Sequence, residues 1–189
     1  MSSGSWSRRR FLTVAGLGGA AAGEVASQMA VDTIFEIMAG GATCASRDDL
    51  ARRLVYSIED AGGRIFGSAK MDRTRRGMGT TAVAGVYSPD ERMFFVAHAG
   101  DSRVYRIRRG QISQLTEDHS LLNDYRRMKE MSGAEMEAFP HKNVVVRALG
   151  LAEQVYVDVY VDEYQRDDLY LLCSDGLCGM LDDETMMQA

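Results

Sequence analysis

The sequence predicts an α+β layered domain around one core. Three observations predict it: 189 residues of ordinary globular composition, two amphipathic helical stretches in the first third, and a run of short strands behind them. The turns between neighbouring strands are too short for a crossover helix, which excludes a doubly wound parallel sheet. With 46% hydrophobic and 26% charged residues, the chain is neither disordered nor collagen-like. Its 22 basic and 27 acidic side chains give a net charge of −5. That balance argues against a nucleic-acid partner, which needs a basic face. No apolar run approaches the roughly 18 residues that span a bilayer, so no membrane partner is expected. Cys44, Cys173 and Cys178 are an odd number in a chain large enough to need no staples. They read as reduced thiols in the cytoplasm.

The elements follow in order. Ser7-Arg8-Arg9-Arg10-Phe11-Leu12, followed by small residues from Thr13 to Gly23, has the outline of a twin-arginine export signal. The segment is glycine-rich rather than leucine-rich and runs on into a helix, so a solvated basic segment is preferred. Phe11–Ala15 is strand-like. Gly16-Leu17-Gly18-Gly19-Ala20-Ala21 then satisfies the G-x-G-x-x-A pattern of a dinucleotide loop. That reading needs further strand–helix–strand units, and the rest of the chain supplies none.

Ala21–Ala39 carries apolar residues at helical spacing. Ser46-Arg47-Asp48-Asp49 resembles a capping box that opens a second helix with the stripe Leu50, Leu54, Val55, Ile58, Ala61, Ile65 and Phe66. Arg73, Arg75 and Arg76 form a basic loop, either solvated or a phosphate-steering edge. Strands are predicted at Thr81–Val86, Met93–Ala97, Val104–Arg108 and Ile112–Leu115, with turns at Ser88-Pro89-Asp90 and Arg109-Gly110. Glu117–Ala138 reads as a helical flap. Strands resume at Asn143–Arg147, Val155–Val161 and Leu169–Cys173, and Asp182-Asp183-Glu184 opens a last helix.

Two places share one construction. Phe94-Phe95-Val96-Ala97-His98-Ala99-Gly100 leads to Asp101, and Leu169-Tyr170-Leu171-Leu172-Cys173-Ser174 leads to Asp175. Each is an apolar strand with small residues at its end and an aspartate as the next charge. A carboxylate buried there needs a cation or a set of donors. Hard cations such as Mg²⁺ or Mn²⁺ take oxygen ligands and keep several waters, so two or three aspartates suffice. The alternative is that both aspartates cap turns. His98, His119 and His141 have no spacing that marks them as ligands, and His119 reads as a flap or capping residue.

Five motifs appear in order: Gly77-Met78-Gly79-Thr80-Thr81, Ala99-Gly100-Asp101-Ser102-Arg103, Leu115-Thr116-Glu117-Asp118-His119-Ser120, Asn143 to Gly150, and Cys173-Ser174-Asp175-Gly176-Leu177. With the loop from Gly16 to Ser27 they resemble the bacterial branch of the PP2C (PPM) family of metal-dependent protein serine/threonine phosphatases. The resemblance implies a four-layer αββα sandwich: two antiparallel sheets flanked by helices, with a Mn²⁺ or Mg²⁺ cluster in a cleft at one end. It implies hydrolysis of phosphoserine and phosphothreonine by a metal-activated water, and as partners phosphorylated proteins that are substrates of a serine/threonine kinase. By the same resemblance Asp175 is a metal ligand, Asp101 helps hold a third metal, and Gly16 offers its backbone carbonyl. The glycine loop then belongs to the metal site and not to a dinucleotide.

The chain also departs from the family. Ala15 stands where the resemblance places the aspartate that bridges two metals, and a methyl group cannot coordinate a cation. Ala20 replaces a loop histidine. Residues 1–10 form an atypical basic segment without an acid, and residues 11–189 read as a partial PP2C-like domain lacking the first and last strands. Catalytic competence is therefore in question, and a pseudophosphatase that binds phosphoproteins or a kinase is the alternative. Ala15→Asp alone is not expected to restore hydrolysis.

Overall fold

Alternation along the central strands sorts the core into layers, because successive side chains in a strand point to opposite faces. The structure, a computed structural model, describes residues 11–17, 21–40, 44, 46–140 and 144–188. In chain order its elements are β1 (Phe11–Leu17), α1 (Ala21–Gly40), α2 (Arg47–Met71), β2 (Thr80–Ser88), β3 (Met93–Ala99), β4 (Arg103–Arg108), β5 (Gln111–Gln114), α3 (Leu121–Met128), α4 (Gly133–Glu137), β6 (Asp158–Glu163), β7 (Leu169–Cys173), α5 (Asp175–Cys178) and α6 (Asp183–Gln188). One sheet has the order β1-β2-β3-β6 and the other β5-β4-β7. Every pairing is antiparallel.

On β2 and β3, Ala82, Ala84, Val86, Phe95, Ala97 and Ala99 face a helical layer. There they meet Ala30, Ile34 and Met38 of α1 and Leu54, Ile58 and Ile65 of α2. Leu54, Ile58 and Ile65 are fully buried, each worth about 1.5–3 kcal/mol of transfer free energy. The intervening residues Val83, Phe94 and Val96 face the other way and meet Val104, Tyr170 and Leu172 of the second sheet. The far side of that sheet packs Tyr105 and Cys173 on Leu177, Leu181 and Met186 around α5 and α6. The result is the four-layer αββα sandwich that the resemblance implies. The antiparallel pairing of β1 with β2 is incompatible with a dinucleotide-binding βαβ unit.

One carboxylate ties the sheets together. Asp162 on β6 accepts from Arg106 Nη1 of β4 (2.7 Å) and from the Tyr170 hydroxyl of β7. Arg108 grips Asp168 with Nε (2.8 Å) and Nη2 (2.6 Å).

Local chemistry explains most boundaries. Ser46 caps α2, its hydroxyl accepting the Asp49 amide at 3.2 Å. Arg109 and Gly110 both have positive φ (52° and 74°) between paired Arg108 and Gln111. This is the two-residue turn whose twist matches a hairpin. Asp182 caps α6 by accepting the Thr185 amide at 2.8 Å.

Two expectations need correction. The valine run within Asn143–Arg147 is not a strand: of its described residues only Val145 forms a bridge, with Ser120, and Val144 and Val146 stay exposed. Strand propensity needs a sheet edge alongside, and this segment has one for a single residue. The Val155–Val161 strand begins only at Asp158, because Val155 turns into the helical layer beside Gly62. The Glu117–Ala138 stretch, read as helical, holds two short helices, the second started by the capping box of Ser132 and Glu135. The export-signal residues 1–10 and His141 lie outside the described residues. Among the described residues no helix is long and apolar enough to cross a membrane.

Candidate functional site

β3 and β4 belong to different sheets, so Gly100-Asp101-Ser102 forms the corner between them. Gly100 has φ +119°, a conformation that suits glycine, and a Cβ there would collide with the Thr81 side chain. Beside it, the Thr81 and Ser102 hydroxyls share a hydrogen bond of 2.8 Å. On β7 the last strand residue is Cys173, followed by Ser174 and then Asp175 at the start of α5.

The two aspartates come together through register. Arg103 at the start of β4 pairs with Cys173 at the end of β7 in antiparallel fashion, and Asp101 and Asp175 lie two residues beyond these two strand ends. Burial pushes the Asp101 carboxyl above its ordinary pKa, and the negative charge of Asp175 pushes it further. A half-buried carboxyl raised by a second carboxylate is a place where a cation is favoured.

Neighbouring cations are committed elsewhere. Arg103 holds Asp118 through Nε (2.8 Å) and Nη2 (2.6 Å) and donates from Nη1 to the Tyr105 hydroxyl (2.9 Å). This bidentate bond to Asp118 raises the Arg103 pKa.

The Thr116–Ser120 motif braces the corner residue by residue. Thr116 Oγ1 accepts the Val104 amide at 3.1 Å. The Glu117 carbonyl accepts from His98 Nε2 at 3.0 Å. His119 Nδ1 accepts the Gly100 amide at 3.0 Å, and the His119 backbone amide donates to the Gly100 carbonyl at 3.0 Å. Ser120 caps α3. His119 is therefore not a flap or capping residue: it is buried, 2% exposed, with its ring stacked on His98 at 4.6 Å. Its Nε2–H donates to Asp158 Oδ2 at 3.1 Å, and Arg147 donates to Asp158 Oδ1 at 3.1 Å. Sequence reasoning missed this cluster. The available signal was His98, a polar residue in register with Phe94 and Val96 on a core-facing side of β3.

Gly16 pairs with Thr81, whose side chain abuts the Gly100 corner. Its backbone thus lies at the end of the sandwich that carries Asp101. Ala15 pairs with Ala82, which pairs with Ala99, a row of three alanines across the sheet. Among the described residues no group of three or more His, Cys, Asp or Glu side chains is placed to hold a metal ion. Two carboxylates with several retained waters fit one hydrated hard cation. They do not fit a pair of ions bridged by a carboxylate.

Two antiparallel sheets between helical layers, with aspartates at the strand ends, are the architecture of a protein phosphatase 2C domain. The family model for protein phosphatase 2C matches residues 7–189, and the chain belongs to that family. The serine/threonine phosphatase stp of Listeria welshimeri is 36% identical over 171 residues, covering 90% of this chain and 67% of that protein. The serine/threonine protein phosphatase PstP of Mycobacterium tuberculosis is 32% identical over 184 residues, and the match spans 34% of its length. The crystal structure of the M. tuberculosis phosphatase PstP/Ppp superposes with a TM-score of 0.82 at 30% identity, covering 95% of this chain and 74% of that one. The PstP catalytic domain in complex with two manganese ions gives a TM-score of 0.75 at 29% identity, covering 95% and 73%.

Proposed function

We propose that this chain is a protein serine/threonine phosphatase domain that receives phosphoserine- and phosphothreonine-bearing proteins, the products of a serine/threonine kinase, at the strand ends of Asp101 and Asp175. The observation that carries this reading is the register of Arg103 with Cys173, which sets the two carboxylates at one end of the sandwich. Asp101, Asp175 and the Gly16 backbone carbonyl are the donors for a hydrated Mn²⁺ or Mg²⁺. A bound divalent cation supplies a water of lowered pKa and a counter-charge for phosphoryl oxygens. Manganese in the PstP structure supports that choice of metal. The three free cysteines support a reducing, cytoplasmic setting.

A specific observation favours a second reading. Ala15 offers no carboxylate, and among the described residues no group of three or more His, Cys, Asp or Glu side chains is placed to hold a metal ion. On that reading the domain binds phosphorylated proteins without hydrolysing them. Calorimetric titration with Mn²⁺, followed by a phosphothreonine peptide assay, separates the two. Tight Mn²⁺ binding with metal-dependent phosphate release establishes the enzyme. One weak equivalent, with peptide binding and no release, establishes the binder. No Mn²⁺ binding at all, or binding unchanged in Asp101→Asn and Asp175→Asn, overturns the assignment of the site.

A further inference from the structure

His119 brackets Gly100 from both sides. Its backbone amide donates to the Gly100 carbonyl (3.0 Å), and its ring Nδ1 accepts the Gly100 amide (3.0 Å). The closure falls at the positive-φ residue directly before Asp101. Thr81 covers the other side of the corner, filling the space a Cβ on Gly100 would need. The ring itself cannot turn freely. His98 stacks on it with planes 12° apart, and Nε2–H is spent on Asp158 Oδ2. Arg147, 3.3 Å from Nε2, also donates to Asp158. A ring whose Nε2 donates and whose Nδ1 accepts is in one neutral tautomer.

We propose that His119 is the positioning residue of the candidate cation site: by accepting the Gly100 amide, its Nδ1 lone pair fixes the corner that presents the Asp101 carboxylate beside Asp175. This rests on the reading of Asp101 and Asp175 as cation donors. It adds that the corner is set by one specific acceptor atom, not by the bulk of the ring.

Two substitutions separate the ring nitrogens. His119→Asn places an amide oxygen near the position of Nδ1 and leaves Asp158 without its ring donor. His119→Gln places a donor near Nε2 and removes the acceptor for Gly100. Both proteins, labelled with ¹⁵N and free of metal, are examined by amide hydrogen exchange, and then titrated with Mn²⁺. In the Asn variant, Gly100 protection and the Asp101 amide resonance are expected to stay close to those of the parent chain. In the Gln variant, Gly100 protection and Mn²⁺ affinity are each expected to fall about tenfold, as loss of one buried hydrogen bond predicts. Equal loss in both variants, which is what a space-filling role produces, overturns the proposal. So does greater loss in the Asn variant.

The unmodified chain gives a reading that no folding defect can obscure. A nitrogen–nitrogen scalar coupling is expected across the hydrogen bond from the Gly100 amide to His119 Nδ1, and its absence overturns the proposal. If the exchange pattern and the coupling hold but the parent chain binds no Mn²⁺, the cation reading of the site fails. The role of His119 in setting the corner then stands.

Discussion

The buried histidine also makes the fold sensitive to acid, with a sign fixed by its surroundings. Burial holds the His119 imidazole below its ordinary pKa, against the pull of Asp158. His98 and Arg147, the other groups facing the ring, also disfavour its charged form. The unfolded chain, with an ordinary histidine near 6.5, therefore takes up the proton first. Stability is fully present above about pH 6.5 and is lost as the pH falls below it. The urea midpoint is expected to drop between about pH 7 and pH 5, and to drop less in His119→Asn. A midpoint that rises on acidification contradicts the neutral ring. Asp158 gives a separate window. Burial works against its ionised form, but the His119 ring N–H and the Arg147 guanidinium prevail, so its pKa is lowered. Its contribution is present above the ordinary value of 3.8 and disappears only in stronger acid. Asp101 has the opposite sense. Its raised pKa means that its ionised form destabilises the metal-free fold at neutral pH.

Among the elements, the caps show how one local device has different global weight. Ser46 caps α2, a helix whose buried stripe forms much of the core. Ser132 caps α4, a single turn whose first residues, Gly133 to Glu135, are exposed. Ser46→Ala is expected to cost about 1 kcal/mol in global unfolding, measured by denaturant titration. Ser132→Ala is expected to leave the global midpoint unchanged and to speed hydrogen exchange only within α4, since flap opening does not require the core to open. Equal effects of the two would mean that α4 unfolds with the sandwich.

At the scale of the whole molecule, the join between the two sheets depends on Asp162. Its carboxylate, 8% exposed, faces Arg106 and Arg108 across the sheets and accepts from Tyr170. Removing one partner of a buried, hydrogen-bonded pair leaves charge without compensation, and the cost is about 3–5 kcal/mol. Asp162→Ala is expected to lose that much by chemical denaturation, with Tyr170→Phe losing about 1 kcal/mol. A loss well under 1 kcal/mol for Asp162→Ala would show that water replaces the carboxylate between the sheets. The phenol of Tyr170 is correspondingly hard to ionise: burial raises its pKa and the Asp162 hydrogen bond raises it further.

The sequence by itself determined the parts that depend on neighbours in the chain. The cap at Ser46, the Arg109-Gly110 turn and the strand Leu169–Cys173 all follow from periodicity and turn chemistry, which act over a few residues. Asp101 and Asp175 were legible as strand-end acids for the same reason, and their motifs carried the family resemblance. Only the tertiary structure decided that Arg103 pairs with Cys173, and so that the two acids lie at one end of the sandwich. It alone stacked His98 on His119 and left the valines around Val145 without a sheet edge. These outcomes rest on pairing between segments far apart in the chain. Their register is set by how whole faces bury against each other, and no local spacing records it.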